Sequence, residues 1–169
     1  MYTKTVLAGF AAASLLTTLS LPTAQAGELP YSRLAGPTGV ETSLAVAGHV
    51  YPGAWSTVYV ASNANPVDAL PAATIGNGSI ALTDNKTLSL GGKTPSKIVL
   101  FDGTGAVSSA IEQQANNLVG ASNVSRLAGA DRNATAREIA KEWVRVNGTP
   151  SVAYITKNAG SGPPDTDES

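Results

Sequence analysis

The sequence predicts an α/β layered fold, a mainly parallel sheet flanked by helices. Three observations predict it. Short β-branched and apolar runs alternate with segments of helical periodicity. The strongest of those runs are continuously apolar, which suits strands covered on both faces. The chain also repeats itself, because Arg33-Leu34-Ala35-Gly36 returns as Arg126-Leu127-Ala128-Gly129. At the same offset Thr42 matches Thr135, Val46 matches Ile139 and Ala47 matches Ala140. Tyr59-Val60 and Asn63-Ala64 then return as Tyr154-Ile155 and Asn158-Ala159. One complete repeat, from about Val58 to Val144, is thus flanked by two partial ones.

Taken in chain order, Thr42 to Val50 reads as a helix with Leu44, Ala47 and Val50 on one face. Thr57 to Ala61 is a strand, followed by a short helix from Asp68 to Ile75 with Asp68 as its cap and Pro71 tolerated in its first turn. Ser79 to Thr83 and Lys97 to Phe101 are further strands. From Ala106 a helix presents Val107, Ile111 and Leu118 on one face and stops at Gly120. A short strand over Arg126 to Ala128 leads to a helix from Thr135 to Asn147. There Ile139, Ala140, Trp143 and Val144 form the apolar face, and Thr135 with Glu138 fits a capping box. Val152 to Thr156 has strand propensity but no partner within its own unit.

The first 26 residues read as a secretory signal: Lys4, an apolar stretch from Val6 to Leu21, then a small-x-small end at Ala26. The competing reading, an uncleaved anchor helix, is opposed by the shortness of the run and by Thr17, Thr18 and Ser20 within it. The body, residues 27–160, is one domain, and 161–169, rich in Gly, Pro, Ser and acidic residues, reads as a disordered tail.

Composition narrows function. Of 169 residues 43% are hydrophobic and 14% charged, enough to bury a core. With no Cys, export brings no disulfide framework. The formal net charge is −1, and one unit more negative without Lys4, so no basic field exists to hold nucleic acid, and nothing in the charge pattern suggests a membrane surface. The single His and the missing Gly-x-Ser-x-Gly elbow give no support to nucleophilic catalysis. The same inventory supplies no transition-metal set of the usual kind, and no cofactor is expected. His49, near the end of a helix, reads as a surface or cap residue.

Polar residues collect just after the strands: Asn63, Asn65 and Asp68; Thr83 and Asp84; Asp102, Gly103 and Thr104; Asp131 and Arg132. In open parallel sheets ligands favour that edge. The candidate binding set is Arg126, Arg132, Asp131, Asp68 and Asn65, with Trp55 as an exposed aromatic able to stack on a sugar. Each has a structural alternative: internal ion pairs for the two arginines, helix capping or turn fixing for the two aspartates, and core packing for the aromatic residues. Tyr59 and Trp143 are assigned to the core.

Several of these segments resemble the type 2 cell wall-binding repeat. Val58-Tyr59-Val60-Ala61-Ser62 and Asn65 to Leu70 are similar to that family's "VYVASG" strand and "NFPDALAA" turn. Ile80 to Thr83 resembles its "PILLT" strand, and Ile98 to Ser108 its "VYIVGGTGAVS" segment. Arg126 to Ala136 differs from "RLAGADRYATA" at one position. The resemblance covers Arg33 to about Ala159. It implies a secreted, non-catalytic, surface-associated protein of a Gram-positive bacterium that holds an anionic secondary wall polymer non-covalently. Family members usually carry three tandem repeats, so two or three chains of this kind could assemble as a homo-oligomer, or join a larger repeat protein, through the partial repeats. Two departures stand out: Pro37-Thr38-Gly39 replaces Ala-Asp-Arg in the early copy, and Asp102 replaces the first Gly of a Gly-Gly pair.

Overall fold

Four parallel strands lie in the order β2-β1-β3-β4: β1 Thr57–Ser62, β2 Ser79–Thr83, β3 Lys97–Phe101 and β4 Val124–Leu127. Among the described residues, four α-helices, α1 Gly39–Val50, α2 Ala69–Ile75, α3 Ser109–Val119 and α4 Arg132–Asn147, flank the sheet, with a short 3-10 turn over Ala121–Asn123. These elements come from a computed structural model, which describes residues 32–66 and 69–154. The expected signal segment, Asp68 and the 161–169 tail lie outside the described residues.

The continuous apolar runs are explained by the layers. Val58, Val60, Ile98 and Leu100 face one way and pack with Ala47 of α1 and Ile111 and Ala115 of α3. Tyr59, Ala61, Val99 and Phe101 face the other way, under Ala72 and Ile75 of α2 and Ile139 of α4. All eight strand residues are at most 1% exposed. Tyr59 stacks on Phe101 with ring centroids 5.4 Å apart and planes 11° from parallel. Burial first, and then the nearby Glu142 carboxylate, raise the Tyr59 hydroxyl to about 12. It therefore remains a donor, 2.6 Å from Asn77 Oδ1.

Several element ends differ from the sequence reading, each for a local reason. α4 begins a turn before Thr135, because the Asp131 carboxylate accepts from Ala134 N at 2.7 Å and caps the helix there. The Thr135 hydroxyl instead accepts from Gly129 N at 3.0 Å, so Thr135 and Glu138 are not a capping box. α1 likewise starts at Gly39 under the cap of Thr38, whose hydroxyl accepts from Val40 N at 3.1 Å and also meets Glu41. Gly36 N reaches Thr42 Oγ1 at 3.0 Å, so the repeated Gly-to-Thr spacing builds the same lock twice. α3 begins at Ser109. Ala106 and Val107 precede it in a turn closed onto the Gly103 carbonyl. Leu118 and Val144 fall off the buried faces and are 43% and 40% exposed. β4 covers Val124–Leu127 and stops before Ala128. Val152 to Tyr154 is not a strand, and the rest of that expected strand lies outside the described residues.

α1 sits against the outer edge of β2, where Leu82 N donates to Ser43 Oγ at 2.9 Å. At the other end of the strands Glu142, 7% exposed, joins Lys97 at 3.5 Å and Arg145 at 2.6 Å. The bond from Arg145 holds the Glu142 carboxyl below its ordinary 4.5, against the opposing effect of burial. A depressed folded-state value means that this stabilisation is complete above the ordinary glutamate range and is lost as pH falls through the folded value. The urea midpoint is expected to drop on acidification below about 4.5, the unfolded-state value, and to do so less steeply in Glu142→Gln. An unchanged acid limb in that variant would show that other carboxyls control it.

Candidate functional site

The sheet order reverses between β1 and β3. β1 connects outward to β2, and the chain then crosses back to β3 and continues to β4. A crevice opens at such a switch beyond the carboxyl ends of the strands. Here it is a pocket of about 250 Å³ lined by Asn65 after β1, Asp102 after β3, and Gly129, Ala130, Asp131, Arg132 and Thr135 around the start of α4.

Backbone geometry shapes its walls. Asp102 has φ +68, in the left-handed region that glycine tolerates best, at the position where the related pattern has Gly. It is held there from three sides. Its N donates to Leu127 O at 2.8 Å, its carbonyl accepts from Arg126 Nη1 at 2.8 Å, and its carboxylate accepts from Gly103 N at 2.7 Å. Gly129 has no room for a side chain, since an added Cβ would lie 2.2 Å from Ala134 Cβ and 2.4 Å from Ala134 C. The chain can therefore run directly under the first turn of α4, bringing Asp131 and Arg132 to the crevice.

Of the residues singled out from sequence, Asn65, Asp131 and Arg132 share this pocket, and Asp68 lies outside the described residues. Arg126 is drawn inward: Nη2 meets Glu112 Oε2 at 2.9 Å, and the side chain is 15% exposed. It braces β4 and Asp102 against α3, an ion pair with a partner that the sequence reading did not name. Arg132 is exposed and has no ion pair to any described residue. Trp55 corrects the reading of an exposed stacking aromatic. It is 4% exposed, its Nε1 donates to Tyr51 O at 2.9 Å, and it packs in the α1/α3 layer. It also precedes β1, whereas the crevice follows it. Trp143 is half-buried against α2, and His49 is exposed in the last turn of α1.

Sequence reasoning missed Thr135 and Gly129 as pocket walls and Asn85 as a latch. Asn85, at φ +66, bonds Ala106 O at 2.6 Å and accepts from Ser108 N at 2.9 Å, tying the loop after β2 to the start of α3. The repeat of Thr42 as Thr135 was the available signal for the first pair. Asn85 carried none beyond its residue type.

The pocket can serve two kinds of group. Arg132 offers a phosphate or carboxylate a guanidinium that has no ion pair among the described residues. The Asp102 and Asp131 carboxylates each spend an oxygen on backbone N–H groups, and their other lone pairs can accept from hydroxyls.

Comparison with known proteins agrees with the resemblance. Residues 33–112 match the family model described as cell wall binding domain 2. Among solved structures the chain is similar to Cwp6 from Clostridium difficile, with TM-score 0.59 and 27% identity over 68% of this chain and 19% of that one. It shares its fold with Cwp8 from Clostridium difficile, with TM-score 0.55 and 23% identity over 63% of this chain and 19% of that one. The chain thus spans 19% of the length of each of these neighbours. No curated protein matches.

Proposed function

We propose, on the premise that residues 33–112 match cell wall binding domain 2, that this protein is a secreted, non-catalytic module that binds a bacterial cell-wall polymer non-covalently. The family match carries the reading, and the polar crevice supports a location for the contact. The ligand class that suits the crevice is a polymer bearing both sugar hydroxyls and anionic groups, as an anionic secondary wall polymer does. Arg132 would pair with the anion, and Asn65, Asp102 and Asp131 would bond hydroxyls. A purely anionic chain without hydroxyls would meet two uncompensated carboxylates. Arg126 supports the site from behind, by fixing the Asp102 carbonyl.

The test is retention on purified wall sacculi, intact and after the anionic polymer is stripped. The protein is expected to stay with intact walls and to be released from stripped ones. Arg132→Glu should weaken retention about tenfold or more, since it removes one charge-assisted contact worth roughly 1.5–3 kcal/mol and adds repulsion. Full retention on stripped walls would sink the polymer reading. Undiminished retention of Arg132→Glu would move the contact away from this crevice.

A further inference from the structure

The chain holds two Asn-Gly dipeptides, Asn77-Gly78 and Asn147-Gly148. Asparagine before glycine is prone to deamidation, because the backbone N of a residue without a side chain approaches the neighbouring amide carbon unhindered. The fold treats the two pairs differently. Asn147 ends α4, and Gly148 N donates to Val144 O at 2.8 Å, so the nitrogen that would attack is tied to the helix. Asn147 Nδ2 is engaged as well, with Ile75 O at 3.1 Å and Trp143 O at 3.2 Å. Asn77 is exposed in the turn between α2 and β2, at the end of the sheet opposite the crevice. Gly78 N precedes the β2 ladder and donates to no described residue. The Tyr59 hydroxyl donates to Asn77 Oδ1 at 2.6 Å, on the carbonyl that an attack would charge. Burial pushes that hydroxyl up to about 12, so it stays protonated. Glycine is also required at position 78, since an added Cβ would lie 2.5 Å from Thr57 O and 3.0 Å from Tyr59 Cε2.

We propose that Asn77 is a site of spontaneous deamidation in the folded protein, promoted by the Tyr59 hydroxyl. Gly78 N gives its proton to solvent base and attacks Asn77 Cγ. As the new N–Cγ bond forms, the carbonyl π pair moves to Oδ1, where the Tyr59 donor stabilises the negative charge. When that pair returns, the Cγ–Nδ2 bond breaks and Nδ2 leaves as ammonia, taking a proton from solvent. The product is a five-membered succinimide, and water then adds to either of its carbonyl carbons. Breaking the bond from Gly78 N to Cγ leaves an aspartate at position 77. Breaking the bond from Gly78 N to the backbone carbonyl carbon leaves an isoaspartate, whose main chain runs through Cγ. Either way one water is consumed, one ammonia is released and nothing is oxidised or reduced. Both products add a negative charge to the turn. The isoaspartate also lengthens the chain by one carbon where Gly78 is wedged against Thr57 O.

The experiment is incubation of the purified protein in mildly alkaline buffer, with peptide mapping by mass spectrometry at intervals. It follows each Asn-Gly pair by the mass change from amide to acid and by the separate elution of the isoaspartyl peptide. In the folded protein Asn77 is expected to convert about tenfold faster than Asn147, and in urea the two rates should converge. Tyr59→Phe keeps the ring and removes the donor. It should slow conversion at Asn77 about fivefold, the worth of one hydrogen bond, and leave Asn147 unchanged. Asn147 is the control within the same molecule, because a loosened fold would free Gly148 N and speed that site. The comparison of the two sites in the wild type needs no variant, so it decides the matter even if Tyr59→Phe fails to fold. Conversion at Asn147 as fast as at Asn77 in the folded wild type overturns the proposal. So does a folded Tyr59→Phe protein that converts Asn77 at the wild-type rate or faster.

Discussion

Phe101→Ala is expected to lower the unfolding free energy by about 4 kcal/mol. Phe101 is fully buried and sits opposite Leu127 in register on β3, the strand between β1 and β4. Its ring stacks on Tyr59 beneath the layer that α2 and α4 form. Truncation removes the transfer energy of the ring and leaves a cavity whose walls are two strands and two helices. Those walls cannot easily collapse, because α4 is pinned by Trp143 and Asn147. A protein of this size has roughly 5–15 kcal/mol of stability in all, so the loss is a large fraction of it. Urea unfolding of both proteins, with slopes compared, measures the change. A loss below about 1 kcal/mol would mean that the layer repacks freely.

Gly129→Ala should cost about 3 kcal/mol or more despite adding only a methyl group. The new Cβ would lie 2.2 Å from Ala134 Cβ, 2.4 Å from Ala134 C and 2.5 Å from Thr135 N, and two of those three atoms are backbone. Relief requires the first turn of α4 to lift, which would also stretch the bond from Gly129 N to Thr135 Oγ1. Since Gly129, Asp131 and Arg132 line the crevice together, wall retention should fall along with stability. Gly148→Ala is the matched control. It has φ +85 but no neighbour within 4 Å of an added Cβ, so it tests backbone strain alone, at about 1 kcal/mol. Equal losses in the two variants would show that crowding at Gly129 is relieved by a small shift.

The strands were legible because burial on both faces leaves an unbroken apolar run, and Lys97 to Phe101 and Ser79 to Thr83 coincide with β3 and β2. The crevice was legible for a topological reason: residues after strand ends gather at one edge whatever the detail of the loops. The start of α4 was not, because Asp131 and Thr135 are both good capping residues and the choice depends on Gly129 lying beneath Thr135. Arg126 forms the internal ion pair that was one of its two readings, but its partner was not legible, because Glu112 lies on another element and only the folded β3–α3–β4 unit brings the two together. Trp55 looked exposed because Pro52 and Gly53 mark a loop. Loop residues are still buried where a helix and a strand converge, and Tyr51 O supplies the indole its acceptor.

The bond from Leu82 N to Ser43 Oγ bears on how the open edge of the sheet is protected. A parallel sheet ending on an apolar strand such as β2 exposes backbone groups that can template another strand, the first step towards aggregation. α1, whose sequence repeats part of α4, covers that flank and engages one of its amides with a side chain that cannot propagate a ladder. The partial repeat at the start of the domain thereby acts as a guard against edge-to-edge polymerisation.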